Sequence, residues 1–400
     1  MRRAWLDRRV RLAAGTVALV VLTACYTSIP APEISTSAVV GSVFVSGKLP
    51  AQAAAAPGIQ VQGDLIVTTS SGTLGVQTVS SGQAIVTRGV NFSGAEYACL
   101  SGSFWDVPAG DQTTIDHMRL DWHANVIRLP LNEGCWLGVS GKMGYEGQDY
   151  IDAMSSFVNL ATASGMLVEV DLHFRAGKES DNDPALDARY APSFWKSVAH
   201  TFRNNHSVIF NLINEPHGIS WACLRDGGSA SRCETSADGP NYKVVGTQSL
   251  VNTIRATGAT NPIIIAGLDW SDDLRQWIRY KPTDTLNPPQ IIAGFHPYFG
   301  YGNRCEASPP TCWNRSVAPI QTAGYPVIAD EIGDITNGCL GSNITRFMNW
   351  ADAQAPKIGY WAWAFTVASC SNGPSLITDA KGTPTQIYGQ AFHDHLMAVQ

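Results

Sequence analysis

Several motifs that would assign a chemistry at once are missing from these 400 residues. The sequence has no G-x-G-x-x-G and no G-x-x-x-x-G-K-[ST], so it lacks the glycine-rich loops that cradle dinucleotides and nucleoside triphosphates. It has no C-x-x-C pair of the kind that holds structural zinc. It also has no G-x-S-x-G, which argues against a serine esterase. We therefore expect neither a metal nor a cofactor.

Charged residues are scarce, at 15% of the chain, and acids outnumber bases by 33 to 27. Residues 1–11 hold five arginines against one aspartate, and residues 12–22 form an apolar run too short to span a bilayer. This run ends in "LTAC", which resembles the cleavage site of a bacterial lipoprotein signal and predicts lipidation of Cys25. An ordinary secretory signal is the alternative.

Cleavage after residue 24 would remove a net of four positive charges and shift the net charge from −6 to about −10. Such a charge argues against nucleic acid or anionic lipid as a partner. The prediction is a monomer on the bacterial cell surface or secreted, with the lipid on Cys25 as its only link to a membrane.

Eight cysteines remain beyond Cys25, an even number that fits an oxidising compartment. Eight cysteines allow 105 connectivities. Their spacing favours near neighbours, and the predicted disulfides are Cys99–Cys135, Cys223–Cys233, Cys305–Cys312 and Cys339–Cys370.

The remaining chain divides by composition. Residues 25–60 are rich in Ala, Ser and Pro and are interpreted as a tether. Residues 61–86 alternate short β-like runs with Ser-Gly turns, which predicts hairpins. Residues 87–395 contain eight apolar runs separated by helix-like segments. Such apolar runs are typical of parallel strands that are buried on both faces. We therefore predict a (β/α)₈ TIM barrel with a short N-terminal β-hairpin segment, which together form one domain over residues 61–400.

Polar and aromatic residues stand at one end of these runs. In a parallel barrel the carboxyl ends of the strands surround a single pocket, where barrel enzymes carry out their chemistry. The candidates are Arg128 in the second run, His173 closing the third, Asn214 and Glu215 the fourth, His296 and Tyr298 the sixth, Glu331 the seventh and Trp363 the eighth.

Two carboxylates facing each other across a cleft can hydrolyse a glycosidic bond, one as acid and the other as nucleophile or base. Arg128 and Tyr298 beside Glu331 would lower the pKa of that carboxyl group, leaving Glu215 in less charged surroundings as the acid. Pro216 disfavours a helical conformation at Glu215 and so keeps the acid in line with its strand.

The motifs resemble those of family 5 glycoside hydrolases over about residues 87–395: "NVIRLPL", "VDLHF", "INEP", "GFHPY", "PVIADEIG" and "GYWAWAF". The resemblance implies a retaining barrel enzyme with Glu215 as acid/base and Glu331 as nucleophile. It further implies that Asn214 binds the sugar 2-hydroxyl and that Trp363 is a sugar platform, with Arg128, His173, His296 and Tyr298 around the substrate. The expected substrate is β-1,4-glucan, cut within the chain. Mannan, xyloglucan and β-1,3-glucan are alternatives.

The seventh run departs from the family, which usually has glycine before the nucleophile and an aromatic residue after it. Here these positions hold Asp330 and Ile332. Strand alternation predicts that Asp330 points away from the barrel axis. An inactive carbohydrate-binding lipoprotein therefore stays open as an alternative. Beyond the strand ends, Trp136, Trp221 and Trp313 are candidates for binding further sugar units.

Overall fold

The computed structural model of the protein describes residues 54–177, 184–336, 338–370 and 373–399. The predicted signal segment, Cys25 and most of the tether lie outside these residues. The strands, in chain order, are β1 (Ile59–Gln62), β2 (Leu65–Thr68), β3 (Gly72–Leu74), β4 (Gln77–Val79), β5 (Ala84–Ile85), β6 (Arg88–Asn91), β7 (Val126–Asn132), β8 (Leu167–Phe174), β9 (Val208–Asn211), β10 (Gly227–Gly228), β11 (Val244–Val245), β12 (Ile263–Ala266), β13 (Ile291–Gly294), β14 (Tyr298–Phe299), β15 (Val327–Asp334) and β16 (Gly359–Ala362).

The helices are α1 (Ala95–Ala98), α2 (Gln112–Asp116), α3 (Glu133–Leu137), α4 (Gln148–Ala163), α5 (Ala191–Phe202), α6 (Trp221–Asp226), α7 (Ala230–Cys233), α8 (Thr247–Arg255), α9 (Trp277–Tyr280), α10 (Pro309–Thr322), α11 (Ser342–Asp352) and α12 (Tyr388–Ala398). A 3₁₀ turn at Cys99–Ser101 follows α1, and a π-helical turn at His117–Asp121 follows α2. No helix among the described residues has the length and apolar character needed to cross a membrane.

Eight parallel strands close into a barrel. Their order around the ring is β6, β7, β8, β9, β12, β13, β15 and β16, and β16 pairs with β6 to complete it. These are the eight apolar runs of the sequence, so the predicted (β/α)₈ barrel is confirmed. β7 and β8 are buried at every position, as expected for strands covered on both faces.

The amino-terminal end of the barrel is closed by side chains. One inward-facing layer contains Val126, Leu167, Ile209, Ile264, Ile292, Ile328 and Trp361. The N-terminal hairpins pack under this layer through Ile59, Val61, Ile66, Leu74 and Val79. The hairpin strands begin at Ile59, two residues before the expected start. Trp361 is fully buried here, so it is a packing residue.

The four disulfides join the pairs that spacing predicted: Cys99–Cys135, Cys223–Cys233, Cys305–Cys312 and Cys339–Cys370. Their cysteines follow barrel strands β6, β7, β9, β13, β15 and β16. In a parallel barrel the segments after the strands lie on the face that carries the site. The cross-links therefore fix the loops around it.

Candidate active site

Arg128 organises the centre of the barrel. It comes from β7, is fully buried, and reaches five residues from four other parts of the ring. Its guanidinium donates to Glu169 Oε1 (3.0 Å), Asn91 Oδ1 (2.8 Å), Asn214 Oδ1 (2.8 Å) and Glu331 Oε1, and it forms an ion pair with Asp171 Oδ2 (3.1 Å). A planar guanidinium with five N–H donors suits this role, because one side chain can orient several acceptors at once.

Glu331 is held at both carboxylate oxygens. Arg128 binds Oε1, and the Tyr298 hydroxyl donates to Oε2 at 2.7 Å. Burial alone would raise the pKa of Glu331, but the positive charges of His296 and Arg128 outweigh burial and lower it. Glu331 is therefore an ionised carboxylate at neutral pH.

Asp330 does not point away from the barrel axis, so that prediction is wrong. It is fully buried inside the barrel, where its Oδ2 accepts from Asn211 Nδ2 at 2.7 Å. The pairing of β15 with β16 shifts register between Ala329 and Ile332. Such a bulge re-aims side chains, so Asp330 and Glu331 both face inward although they are consecutive.

Glu215 faces Glu331 across His296. The imidazole Nδ1 lies 2.9 Å from Glu215 Oε1 and 3.6 Å from Glu331 Oε2. One oxygen of each carboxylate and one ring nitrogen lie within 4.8 Å of one another. Burial would lower the pKa of His296, but Glu331 and Asp330 raise it well above its usual value. The charged form of His296 is therefore favoured, and the surroundings of Glu215 are more charged than the sequence suggested.

His173 and Trp363 form one wall of the pocket. Their rings stack at 5.3 Å with an angle of 16° between the planes. His173 Nδ1 lies 3.0 Å from Asp171 Oδ2, which fixes the imidazole. Trp363 follows the last residue of β16 and is half-buried, so part of its ring faces the cleft. All eight predicted strand-end residues lie at the carboxyl end of the barrel.

Sequence reasoning missed four buried polar residues of this network: Asn91, Glu169, Asp171 and Asn211. Asn211 Nδ2 bridges Glu169 Oε1 (2.9 Å) and Asp330 Oδ2 (2.7 Å). A signal was present in "LVEVDLHF", because two acids on the same face of an otherwise apolar strand need buried partners.

The three tryptophans expected to bind sugar beyond the strand ends do not face the cleft. Trp136, Trp221 and Trp313 are buried in the core between the helices and the barrel. A different tryptophan, Trp270, is half-buried and stacks on His217 with the ring centres 4.2 Å apart. It lies just beyond β12, and its backbone N–H donates to the carbonyl of Pro216, next to Glu215.

An ionised carboxylate and a second carboxyl group face each other across the open end of a parallel barrel. This places the protein among the barrel glycoside hydrolases, whose reaction uses such a pair. Comparison with known proteins agrees. The model of the family Cellulase (glycosyl hydrolase family 5) matches residues 80–369.

Two curated relatives are endoglucanases. The manganese dependent endoglucanase Eg5A of Phanerodontia chrysosporium is 27% identical over 351 residues, which cover 82% of this chain and 84% of the relative. Endoglucanase E-5 of Thermobifida fusca is 27% identical over 148 residues, 36% of this chain, and the match spans only 27% of that relative's length. Among solved structures, the beta-glucanase SdGluc5_26A of Saccharophagus degradans in complex with cellotetraose superposes with a TM-score of 0.61 and 18% identity, covering 89% of this chain and 99% of that one. The chain belongs to glycosyl hydrolase family 5.

Proposed function

We propose that this glycoside hydrolase is a retaining endo-β-1,4-glucanase, with Glu331 as nucleophile and Glu215 as acid/base. The observation that carries the proposal is the pair itself, whose facing oxygens lie within 4.8 Å. Retaining enzymes separate the two carboxyl groups by about 5–5.5 Å, whereas inverting enzymes need about 6.5–9.5 Å to fit a water molecule between carboxylate and sugar.

In the first step a Glu331 oxygen bonds to the anomeric carbon while the glycosidic C–O bond breaks. The departing oxygen takes the proton of Glu215, and a glycosyl ester of Glu331 remains. Arg128 and Tyr298 hold both oxygens of Glu331, so the nucleophile is already oriented before substrate binds.

In the second step Glu215, now a carboxylate, removes a proton from water. The water oxygen bonds to the anomeric carbon and the ester of Glu331 breaks, which regenerates both residues with the original β configuration. The Asn214 side-chain oxygen is engaged by Arg128, which leaves its amide N–H₂ to meet the sugar 2-hydroxyl. The exposed part of Trp363 offers an apolar face to the sugar ring.

Azide separates the two roles. With an activated aryl β-cellobioside, Glu331→Ala loses nearly all activity, and azide restores turnover by direct attack, giving an α-glycosyl azide. Glu215→Ala still forms the glycosyl ester, which azide then opens to a β-glycosyl azide. We expect Glu215→Ala to lower kcat on a polysaccharide by about 10²–10⁴-fold. Near-normal rates in Glu331→Ala, or the opposite azide anomers, would refute the assignment.

The β-1,4-glucan substrate is supported by the endoglucanase names of the relatives and by the cellotetraose complex of the structural neighbour. A panel of soluble polysaccharides with linkage analysis of the products tests it. Rapid loss of viscosity on carboxymethyl-cellulose supports internal cleavage of β-1,4-glucan. Preferred hydrolysis of mannan, xyloglucan or β-1,3-glucan would keep the chemistry and change the substrate, and no hydrolysis at all would favour the carbohydrate-binding alternative.

The proposal extends to a monomer outside the cytoplasm, anchored through lipidated Cys25 by a tether. The disulfides support an oxidising compartment. Cys25→Ser should move the protein from the membrane fraction to the medium, whereas equal membrane retention of both forms would contradict the anchor.

A further inference from the structure

Asp330 lies in a buried pocket between strands of the barrel. Its carboxylate accepts from Asn211 Nδ2 at 2.7 Å and lies 3.5 Å from His296 Nε2. On β13, Gly294 leaves the necessary space, since a Cβ there would come within 2.9 Å of Asp330 Oδ1. Because Asp330 replaces the glycine usual in the family, this arrangement belongs to the chain itself.

Three acidic side chains of the described residues face the imidazole of His296. Glu215 Oε1 is 2.9 Å from Nδ1, Glu331 Oε2 is 3.6 Å from the same atom, and Asp330 Oδ2 is 3.5 Å from Nε2. His296 is fully buried, so water does not screen these charges. An imidazolium sealed from water needs counter-charges, and Glu331 and Asp330 provide them, while Glu215 accepts from the ring through its carboxyl oxygen.

Carboxylates near the two buried imidazoles of the site favour their charged forms. His173 and His296 both have raised pKa values, with carboxylates outweighing burial.

We propose that Asp330 is a positioning residue that keeps His296 in its charged imidazolium form, with the Nε2 proton directed at Asp330 and the Nδ1 proton at Glu215 and Glu331. The two carboxyl groups that perform the chemistry therefore meet across a fixed positive charge. Asp330 acts through His296 and does not touch the substrate. The protonation state of His296 does not depend on the proposed function. Only the effect of that state on turnover rests on it.

The direct test is the titration of His296 by NMR. The full chain is labelled with ¹⁵N-histidine, and His296→Gln identifies the His296 signal among the nine histidines. In the wild type, both ring nitrogens should keep imidazolium shifts from about pH 5 to about pH 8. In Asp330→Asn, His296 should lose its proton within that range, a downward shift of at least about one pH unit.

Asp334→Asn is the matched control. Asp334 is a second fully buried aspartate of β15, but its carboxylate accepts from the backbone N–H and hydroxyl of Thr336 and does not contact His296. This variant should leave the His296 titration unchanged. Should Asp330→Asn fail to fold, Asp330→Gly carries the same test with the residue usual in the family.

The outcomes are distinct from those that test the function. An unchanged His296 titration in the Asp330 variants, or a neutral His296 in the wild type at pH 6, would overturn the inference whatever the substrate. If the inference holds, the pH profile of kcat/KM in Asp330→Asn gains an ionisation at the NMR midpoint. A profile without that ionisation, despite a titrating His296, would disprove the link to catalysis.

Discussion

At the scale of single residues, the ionised state of Glu331 depends on partners from several strands. Arg128, His296 and Tyr298 each favour the carboxylate, against a burial that would otherwise favour the neutral acid. A nucleophile must be ionised to attack, so these partners set the lowest pH at which the enzyme works.

Tyr298→Phe tests this dependence. The variant loses the 2.7 Å hydrogen bond to Glu331 Oε2, so the pKa of Glu331 rises. Because the protonated acid cannot attack, the acidic limb of kcat/KM should move to higher pH, by up to about one unit. Tyr301→Phe, a neighbouring and more exposed tyrosine, is the control and should leave the limb in place. An acidic limb that moves to lower pH in Tyr298→Phe would contradict this account.

At the scale of elements, the N-terminal hairpins should stabilise the barrel by covering its floor. Leu74 in β3 is buried against that floor, while Val76 beside it is 38% exposed. Leu74→Ala should lower the free energy of unfolding by about 2–5 kcal/mol, because it leaves a cavity in a packed core. Val76→Ala should change it by less than about 0.5 kcal/mol. Equal unfolding midpoints in urea for the two variants would show that the hairpins do not pack as described.

The positions of the barrel strands were more predictable from the sequence than the directions in which individual side chains point. All eight barrel strands could be found, because each is a short apolar run and helix-like segments separate the runs. α10 is harder to predict from the sequence, since Pro309, Pro310 and Pro319 look like helix breakers although two of them occupy the first turn. The inward direction of Asp330 was also missed, because a bulge depends on pairing with β16, which alternation within one strand does not show.

At the scale of the whole molecule, the disulfides should differ in how much they stabilise the fold. Cys99–Cys135 closes a separation of 36 residues and Cys305–Cys312 one of only 7. Loop-closure entropy in the unfolded chain predicts losses of about 4 and about 2.5 kcal/mol when each pair is replaced by serine. Denaturant unfolding of the two double variants measures the order. A larger loss for the short loop would mean that native contacts, and not chain entropy, dominate.

The central claim is that Glu331 forms a covalent bond with the sugar. A cellobioside with fluorine at C2 and an activated leaving group slows both steps and, in a retaining enzyme, leaves the glycosyl ester trapped. Mass spectrometry of the protein and of its peptic peptides then locates the label. The account predicts one sugar per chain, attached to Glu331. Absence of any adduct with an otherwise active enzyme, or a label on Glu215 or Asp330, would contradict it.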